Sequence, residues 1–313
     1  MLTPTLVRSV TEVRPERDLA PIRMGSCARF GLTGRTLAAY DPQLMVLRAR
    51  KLRVKDTRRL LIANEDLTES LVSGADGLRH YRGRKASRIQ ILGADSAIFI
   101  AADRALVTAP ESLTTEAGQL ARGTHYAFLV DLAASRVLHR VEMPASDAGA
   151  FLTPHPSGTF LADLGEGQDG STLYELTVGS DSLAVREAMT NVVAADVHAD
   201  TGNLLLTPHP SFSDVGVRVM SWPNGDILAA LLTIDLGLDD DFQLYGAYLG
   251  PDRILVTTYQ NGMYVTDAML KHPLRITFPD DVGNPESFLV TDEHHFVGSH
   301  WVEGAERSLL WRL

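Results

Sequence analysis

Gly149-Ala-Phe-Leu-Thr-Pro-His-Pro-Ser-Gly-Thr-Phe-Leu-Ala162, followed by Ser171-Thr-Leu-Tyr-Glu-Leu-Thr-Val178, reads as a strand, a Pro/Gly turn, a second strand, a loop and a third strand. Proline presets φ and glycine supplies positive φ in the turn. The flanking apolar runs are short enough, and rich enough in β-branched and aromatic residues, to be strands buried on both faces. The same unit begins again at Val192, Tyr245 and Phe288. Helical periodicity is scarce throughout.

Working outward, the second strand of each unit serves as a ruler: Leu37, Leu71, Leu106, Phe160, Leu204, Ile254 and Phe296. The intervals are 34, 35, 54, 44, 50 and 42 residues, about 43 on average, close to the roughly 40 to 45 residues of a four-stranded propeller blade. Third strands are read at 44–47, 78–81, 126–131, 173–178, 217–222, 262–267 and 308–313. Seven units fit, predicting an all-β, seven-bladed β-propeller. Residues 1–313 then form one domain, with the blades over 24–313. The first two units are short and rich in arginine, so a six-bladed count that merges them is the alternative. The chain ends on the third strand of the seventh unit, and Thr5–Val13 is strand-like with no unit of its own. Residues 1–13 are therefore predicted to close the ring beside the last strand, removing an unpaired edge. One insertion, Glu111–Gly123, separates the second and third strands of unit three and is expected to hold a helical turn.

His155-Pro-Ser-Gly-Thr-Phe-Leu161, Asp200-Thr-Gly-Asn-Leu-Leu205 and Gly250-Pro-Asp-Arg-Ile-Leu255 occupy first-to-second strand turns, and the third strands end in aromatic residues or aspartate. On these residues the chain resembles the WD40-like and YVTN-like β-propeller repeats, well over residues 90–313 and poorly over 1–90. No Trp-Asp dipeptide and no regular Gly-His pair occurs, so no subfamily is indicated. The resemblance implies a propeller whose loops or central channel bind something, most often another protein.

Charge is distributed unevenly. Residues 1–90 hold 18 Lys and Arg against 9 Asp and Glu, and residues 91–313 hold 11 against 30, so the net −10 is the sum of +9 and −19. Two basic stretches carry the excess. Arg48, Arg50, Lys51, Arg53 and Lys55 with Arg58 and Arg59 form one, and Arg79 to Arg88, including Arg82, Arg84 and Lys85, forms the other. Both are predicted in the third-to-fourth strand region of consecutive blades, where they would merge into one cationic sector suited to a carboxylate-rich protein or a phosphate-bearing partner. Nucleic acid is not expected, because the acidic remainder repels a long polyanion and Tyr81 is nearly alone as an interleaved aromatic. The N-terminus lacks the basic region and apolar run of a secretory signal, and no stretch is long enough to span a bilayer. A soluble, cytoplasmic protein without a membrane partner is expected. Cys27, the single cysteine, has no internal disulfide partner and reads as a small buried apolar side chain.

No metalloprotease, nucleophile-elbow, Cys-x-x-Cys or phosphate-loop motif occurs, and no cofactor is expected. Gly165-Glu-Gly-Gln-Asp-Gly170 precedes a strand and reads as a loop; Asp163, Glu166 and Asp169 match no established calcium loop. Thr-Pro-His-Pro-Ser occurs at 153–157 and 207–211, after a first and a second strand respectively, as turn chemistry. His155, His198, His294 and His295 all stand near first-to-second strand turns and are the weak candidates for a metal or a general base at a channel mouth. His300 reads as a hydrogen-bonded structural group. The acidic clusters Asp235, Asp239, Asp240, Asp241 and Asp280, Asp281, Glu286 fall between blades, as solvated loop charge rather than a glycosidase pair. The leading expectation is a non-catalytic interaction scaffold working through the basic sector. The alternative is a propeller hydrolase or lactonase using channel-mouth His and Asp residues, with or without a divalent metal, and a quinoprotein stands third.

Overall fold

The computed structural model describes residues 1–10, 29–52, 57–114, 120–146, 148–212, 216–260 and 262–313, with main chain only at 57, 58, 114, 120, 121 and 146. After β1 (Thr5–Val10), blade 1 is β2 (Arg29–Thr33), β3 (Thr36–Tyr40) and β4 (Val46–Lys51). Blade 2 is β5 (Thr57–Ala63), β6 (Glu69–Gly74), β7 (Gly77–Arg82) and β8 (Lys85–Ile89). Blade 3 is β9 (Ser96–Ala101), β10 (Arg104–Thr114), β11 (Leu120–Asp131) and β12 (Arg136–Ser146). Blade 4 is β13 (Gly149–Pro154), β14 (Phe160–Gly165), β15 (Ser171–Val178) and β16 (Leu183–Thr190). Blade 5 is β17 (Val192–Val197), β18 (Leu204–Pro208), β19 (Val217–Met220) and β20 (Ile227–Leu231). Blade 6 is β21 (Phe242–Tyr248), β22 (Arg253–Thr258), β23 (Gly262–Asp267) and β24 (Leu274–Arg275). Blade 7 is β25 (Ser287–Val290), β26 (His295–Val302), β27 (Ala305–Arg312) and, as its outermost strand, β1.

These are seven antiparallel meanders in a seven-bladed β-propeller arrangement. Every ruler residue of the repeat falls on the second strand of its blade, and all but Phe160 are buried. A second strand has a neighbour on both edges and packs an apolar face on an adjacent blade of its own unit, which is why apolar spacing locates it so well. The closing strand is where the chain arithmetic placed it. β1 runs antiparallel to β27, from Thr5 opposite Arg312 to Val10 opposite Ser308, with a bulge between Leu6 and Arg8. Residues 11–13 of that expectation, and Cys27, lie outside the described residues.

Blades 1–4 form one compact unit; blades 5–7 with β1 and residues 42–44 form another. In the first, Leu71, Leu78, Leu106, Leu129 and Tyr174 lie in one apolar cluster across blades 2–4, and Phe30, Leu37 and Val72 in a second across blades 1 and 2. In the second unit, Leu205, Phe242 and Ile254 pack blade 5 on blade 6, and Leu255, Phe278, Phe296 and Trp311 pack blade 6 on blade 7.

Three local expectations are corrected. No helical turn is present in the described part of 111–123. Instead β10 and β11 continue as a ladder, down to Thr114 opposite Leu120. Gly123 permits this, because a Cβ there would stand 2.9 Å from the Leu113 side chain that lies across it. The third strand of blade 1 begins at Val46 rather than Leu44, which sits buried in the preceding turn at φ 58°. That of blade 5 ends at Met220, since Ser221 N–H turns to the Asp226 carbonyl.

Candidate functional site

The basic stretches meet at the turn between β5 and β6. Asn64 Oδ1 accepts the Glu69 N–H at 2.8 Å, and Asp66 Oδ1 accepts both the N–H and the hydroxyl of Thr68, at 3.0 and 2.6 Å. Leu67 is buried at φ 58°. This leaves the Leu67 and Thr68 carbonyls facing outward as acceptors. Arg50 of β4 donates through Nη1 to Leu67 O at 2.7 Å and to Thr68 O at 3.3 Å. Gly83, in the β7–β8 turn, donates its N–H to the same Thr68 O at 2.8 Å. One carbonyl thus anchors β4 of blade 1 and the Arg82-Gly83-Arg84-Lys85 hairpin of blade 2. The Thr68 hydrogen bonds, with a smaller contribution from the Arg48 charge, hold the Asp66 carboxyl below its usual range.

Arg48 registers with Ala39 and Arg50 with Leu37, so both project from the same face of β4. Arg48, Lys51, Arg82, Arg84 and Lys85 are exposed, and Arg50 is half-buried. Compensating acids are few. Arg79 pairs with Asp76 at 2.7 Å, and Arg82 Nε stands 3.8 Å from Glu69, whose carboxylate is already engaged by the buried His80 at 2.8 Å. Lys51, Arg84 and Lys85 have no ion pair among the described residues. Guanidinium and ammonium groups this close suit carboxylate or phosphate oxygens, arginine in bidentate fashion. Arg59 departs from its expected place: it is exposed on β5, the first strand of blade 2, rather than in a third-to-fourth strand region. Arg53 and Lys55, and the Arg58 side chain, lie outside the described residues.

The histidines serve their own turns. His155 Nδ1 accepts the Ser157 N–H at 3.1 Å, and His209 Nδ1 accepts the Ser211 N–H at 3.2 Å, which explains the duplicated Thr-Pro-His-Pro-Ser as one turn-closing device used in two settings. His198 Nδ1 accepts from Asp200 and Thr201, its Nε2–H donates to Pro251 O at 2.9 Å, and its ring stands edge-on to Tyr248. His295 Nδ1 lies 2.9 Å from Asp292, and the exposed His294 lies 3.3 Å from Glu293. No group of three His, Cys, Asp or Glu among the described residues stands close enough to hold a metal. The acidic loops are also turn-closing: Asp235 Oδ2 accepts the Leu232 N–H and Asp240 Oδ2 the Gln260 N–H, both at 2.9 Å. Glu166 accepts the Thr172 hydroxyl across the glycine loop between β14 and β15.

His300 is fully buried on β26. It accepts the Trp311 indole N–H through Nε2 at 2.9 Å, while its Nδ1–H donates to Gly283 O at 3.1 Å. Burial pushes its pKa down to about 4, against the opposing effect of the Gly283 carbonyl. One polar cluster had no signal in the sequence. Asp95 Oδ2, just before β9, stands 2.5 Å from Arg122 Nη2 and 2.9 Å from the buried His125 Nε2, residues far apart along the chain. Asp95 also accepts the Ala150 N–H, and Ser96 Oγ the Leu152 N–H, stapling the first strand of blade 3 to that of blade 4. Asp196 does the same between blades 5 and 6, accepting the Tyr248 N–H at 2.9 Å.

Similarity to known proteins is one of fold. The WD40 domain of Neurospora crassa Pan2 superposes with a TM-score of 0.58 at 11% identity, over 99% of this chain and 95% of that one. The β-propeller domain of Myceliophteria thermophila Cps50 (Swd1) gives 0.58 at 12% identity over 99% of both. The Pyrococcus horikoshii acylaminoacyl peptidase gives 0.53 at 11% identity, over 93% of this chain and 52% of the peptidase. No protein-family model matches the chain, and no curated protein does. The seven blades and these likenesses define a WD40-like β-propeller fold. No helix among the described residues is long and apolar enough to cross a membrane.

Proposed function

We propose that this propeller is a non-catalytic protein-interaction scaffold, cytoplasmic, whose basic sector on blades 1 and 2 binds an acidic or phosphate-bearing partner protein. The observation that carries this reading is the Thr68 carbonyl shared by Arg50 and Gly83, which gathers cations from two blades around one turn. Convergent cations with few carboxylate partners among the described residues raise the encounter rate and the affinity for an anionic surface, with strong dependence on salt. The rival enzyme reading gains no support from His155, His198, His294 or His295, whose hydrogen bonds lie in their own turns or to an adjacent one.

The test is capture of partners from native lysate by wild-type protein and by a variant carrying Arg48→Glu, Arg50→Glu, Lys51→Glu, Arg82→Glu, Arg84→Glu and Lys85→Glu, with circular dichroism to verify that the variant folds. A stoichiometric partner present with wild type, weakened by added salt and absent with the variant, is the expected result. Capture that survives charge reversal in a folded variant refutes the contact surface.

A further inference from the structure

Blade 1 differs from the other six. Among the described residues it has three strands where each of the others has four, so β4 ends the sheet at the position where a fourth strand stands elsewhere. Leu52 N–H donates to Arg35 O at 2.8 Å, continuing the β3–β4 ladder and setting its phase. Residues 48, 50 and 52 therefore turn their main-chain groups toward β3, and Ala49 and Lys51 turn theirs outward, to the edge that carries no further strand among the described residues. Such edges are usually blunted by charge or proline. Here the strand begins with two exposed apolar residues, Val46 and Leu47, each 49% exposed, and continues into the cations of the basic sector.

We propose that β4 accepts an extended acidic segment of the partner protein as the fourth strand of blade 1. Its main chain pairs with Ala49 and Lys51, and its acidic side chains lie on the face of Arg48 and Arg50. This deepens the basic-sector reading and rests on it. Charge complementarity selects the occupant. A second copy of this chain adding its own β4 would set Arg48, Arg50 and Lys51 against their counterparts, and like charges across a strand pair repel. An acidic strand instead meets Arg48 and Arg50 directly, with Arg82, Arg84 and Lys85 close by around the 64–68 turn. A segment alternating acidic and apolar residues places carboxylates on the arginine face and apolar groups on the Ala49 face, because the period of a strand is two.

The experiment measures fluorescence anisotropy of a labelled peptide of about eight alternating Glu and Val residues, long enough to cover a six-residue strand. Two further copies are N-methylated at the odd or at the even amides. Only one parity faces β4, so one methylated copy is expected to bind on the order of tenfold or more weakly, and the other to bind like the parent. Ala49→Pro, which removes an outward N–H and leaves the β3 ladder intact, is expected to weaken the parent peptide similarly without changing the melting temperature. Should that variant fail to fold, the methylated pair still decides the matter on the wild-type chain. Equal binding of both methylated copies and the parent, with loss only on charge reversal, overturns strand addition and leaves the basic sector standing. Undiminished binding to the charge-reversed protein overturns the sector itself. No peptide binding to the wild-type chain overturns the strand addition.

Discussion

His300 makes the stability of this propeller depend on pH in a way that one substitution can isolate. The Trp311 N–H points at a bare Nε2, so protonation there sets two donors against each other inside a site walled by Phe278 and Trp311. The pKa falls from an ordinary 6.5 to about 4 because burial penalises the cation. Since the folded value lies below the unfolded one, the unfolded chain takes up a proton that the folded chain refuses between those two pH values. The contribution is complete above pH 6.5 and is lost as pH falls toward 4. The gap of about 2.5 units corresponds to about 3 kcal/mol in all, of which about 2 kcal/mol is gone by pH 5. Other groups titrate in the same range, so the quantity to measure is the difference between wild type and His300→Gln, whose amide can accept from Trp311 at any pH. Urea unfolding followed by far-UV circular dichroism at pH 7, 6 and 5 is expected to show the wild-type advantage shrinking by about 2 kcal/mol across that range. A constant offset between the two proteins, whatever its size, refutes the reasoning.

Two further outcomes follow from the same contacts. Removing residues 1–10 strips β1 from β27, bares the blade 7 edge and deletes the buried Val10, and the melting temperature is expected to fall by several degrees or more, as read by differential scanning calorimetry. Asp95→Ala leaves Arg122 and His125 without their carboxylate and is expected to cost about 3 kcal/mol of unfolding free energy, whereas Asp181→Ala, which breaks the exposed pair with Arg104, is expected to cost less than about 1 kcal/mol. Equal losses in the two variants, measured by denaturant unfolding, contradict the assignment of Asp95 as an inter-blade staple.

The two basic stretches were visible as composition, and their placement on consecutive blades followed from the repeat. Their meeting at Thr68 was not visible, because it depends on a backbone carbonyl that Asp66 and Leu67 turn outward, and any residue carries a carbonyl. Arg59 departs from the sequence pattern for a related reason: basic residues adjacent in sequence suggest one surface, although β4 and β5 are the outer strand of one blade and the inner strand of the next. The segment 111–123 looked like an insertion with helical character. Cross-strand pairing and the room that Gly123 leaves for Leu113 carry β10 as far as Thr114 and start β11 at Leu120 instead.

The amino-acid sequence alone determined a repeated all-β blade architecture, the position of every second strand and the strand that closes the last blade, while the structure settled seven blades against the alternative of six. Those features rest on apolar spacing and turn residues, which act over a few neighbouring positions and leave a local pattern. Tertiary structure alone decided which histidines close turns, which buried carboxylate staples neighbouring strands, and where β4 is left without a fourth strand among the described residues. Each of these depends on main-chain donors and acceptors brought together from distant parts of the chain, and the chemistry of a peptide group is the same whatever residue carries it.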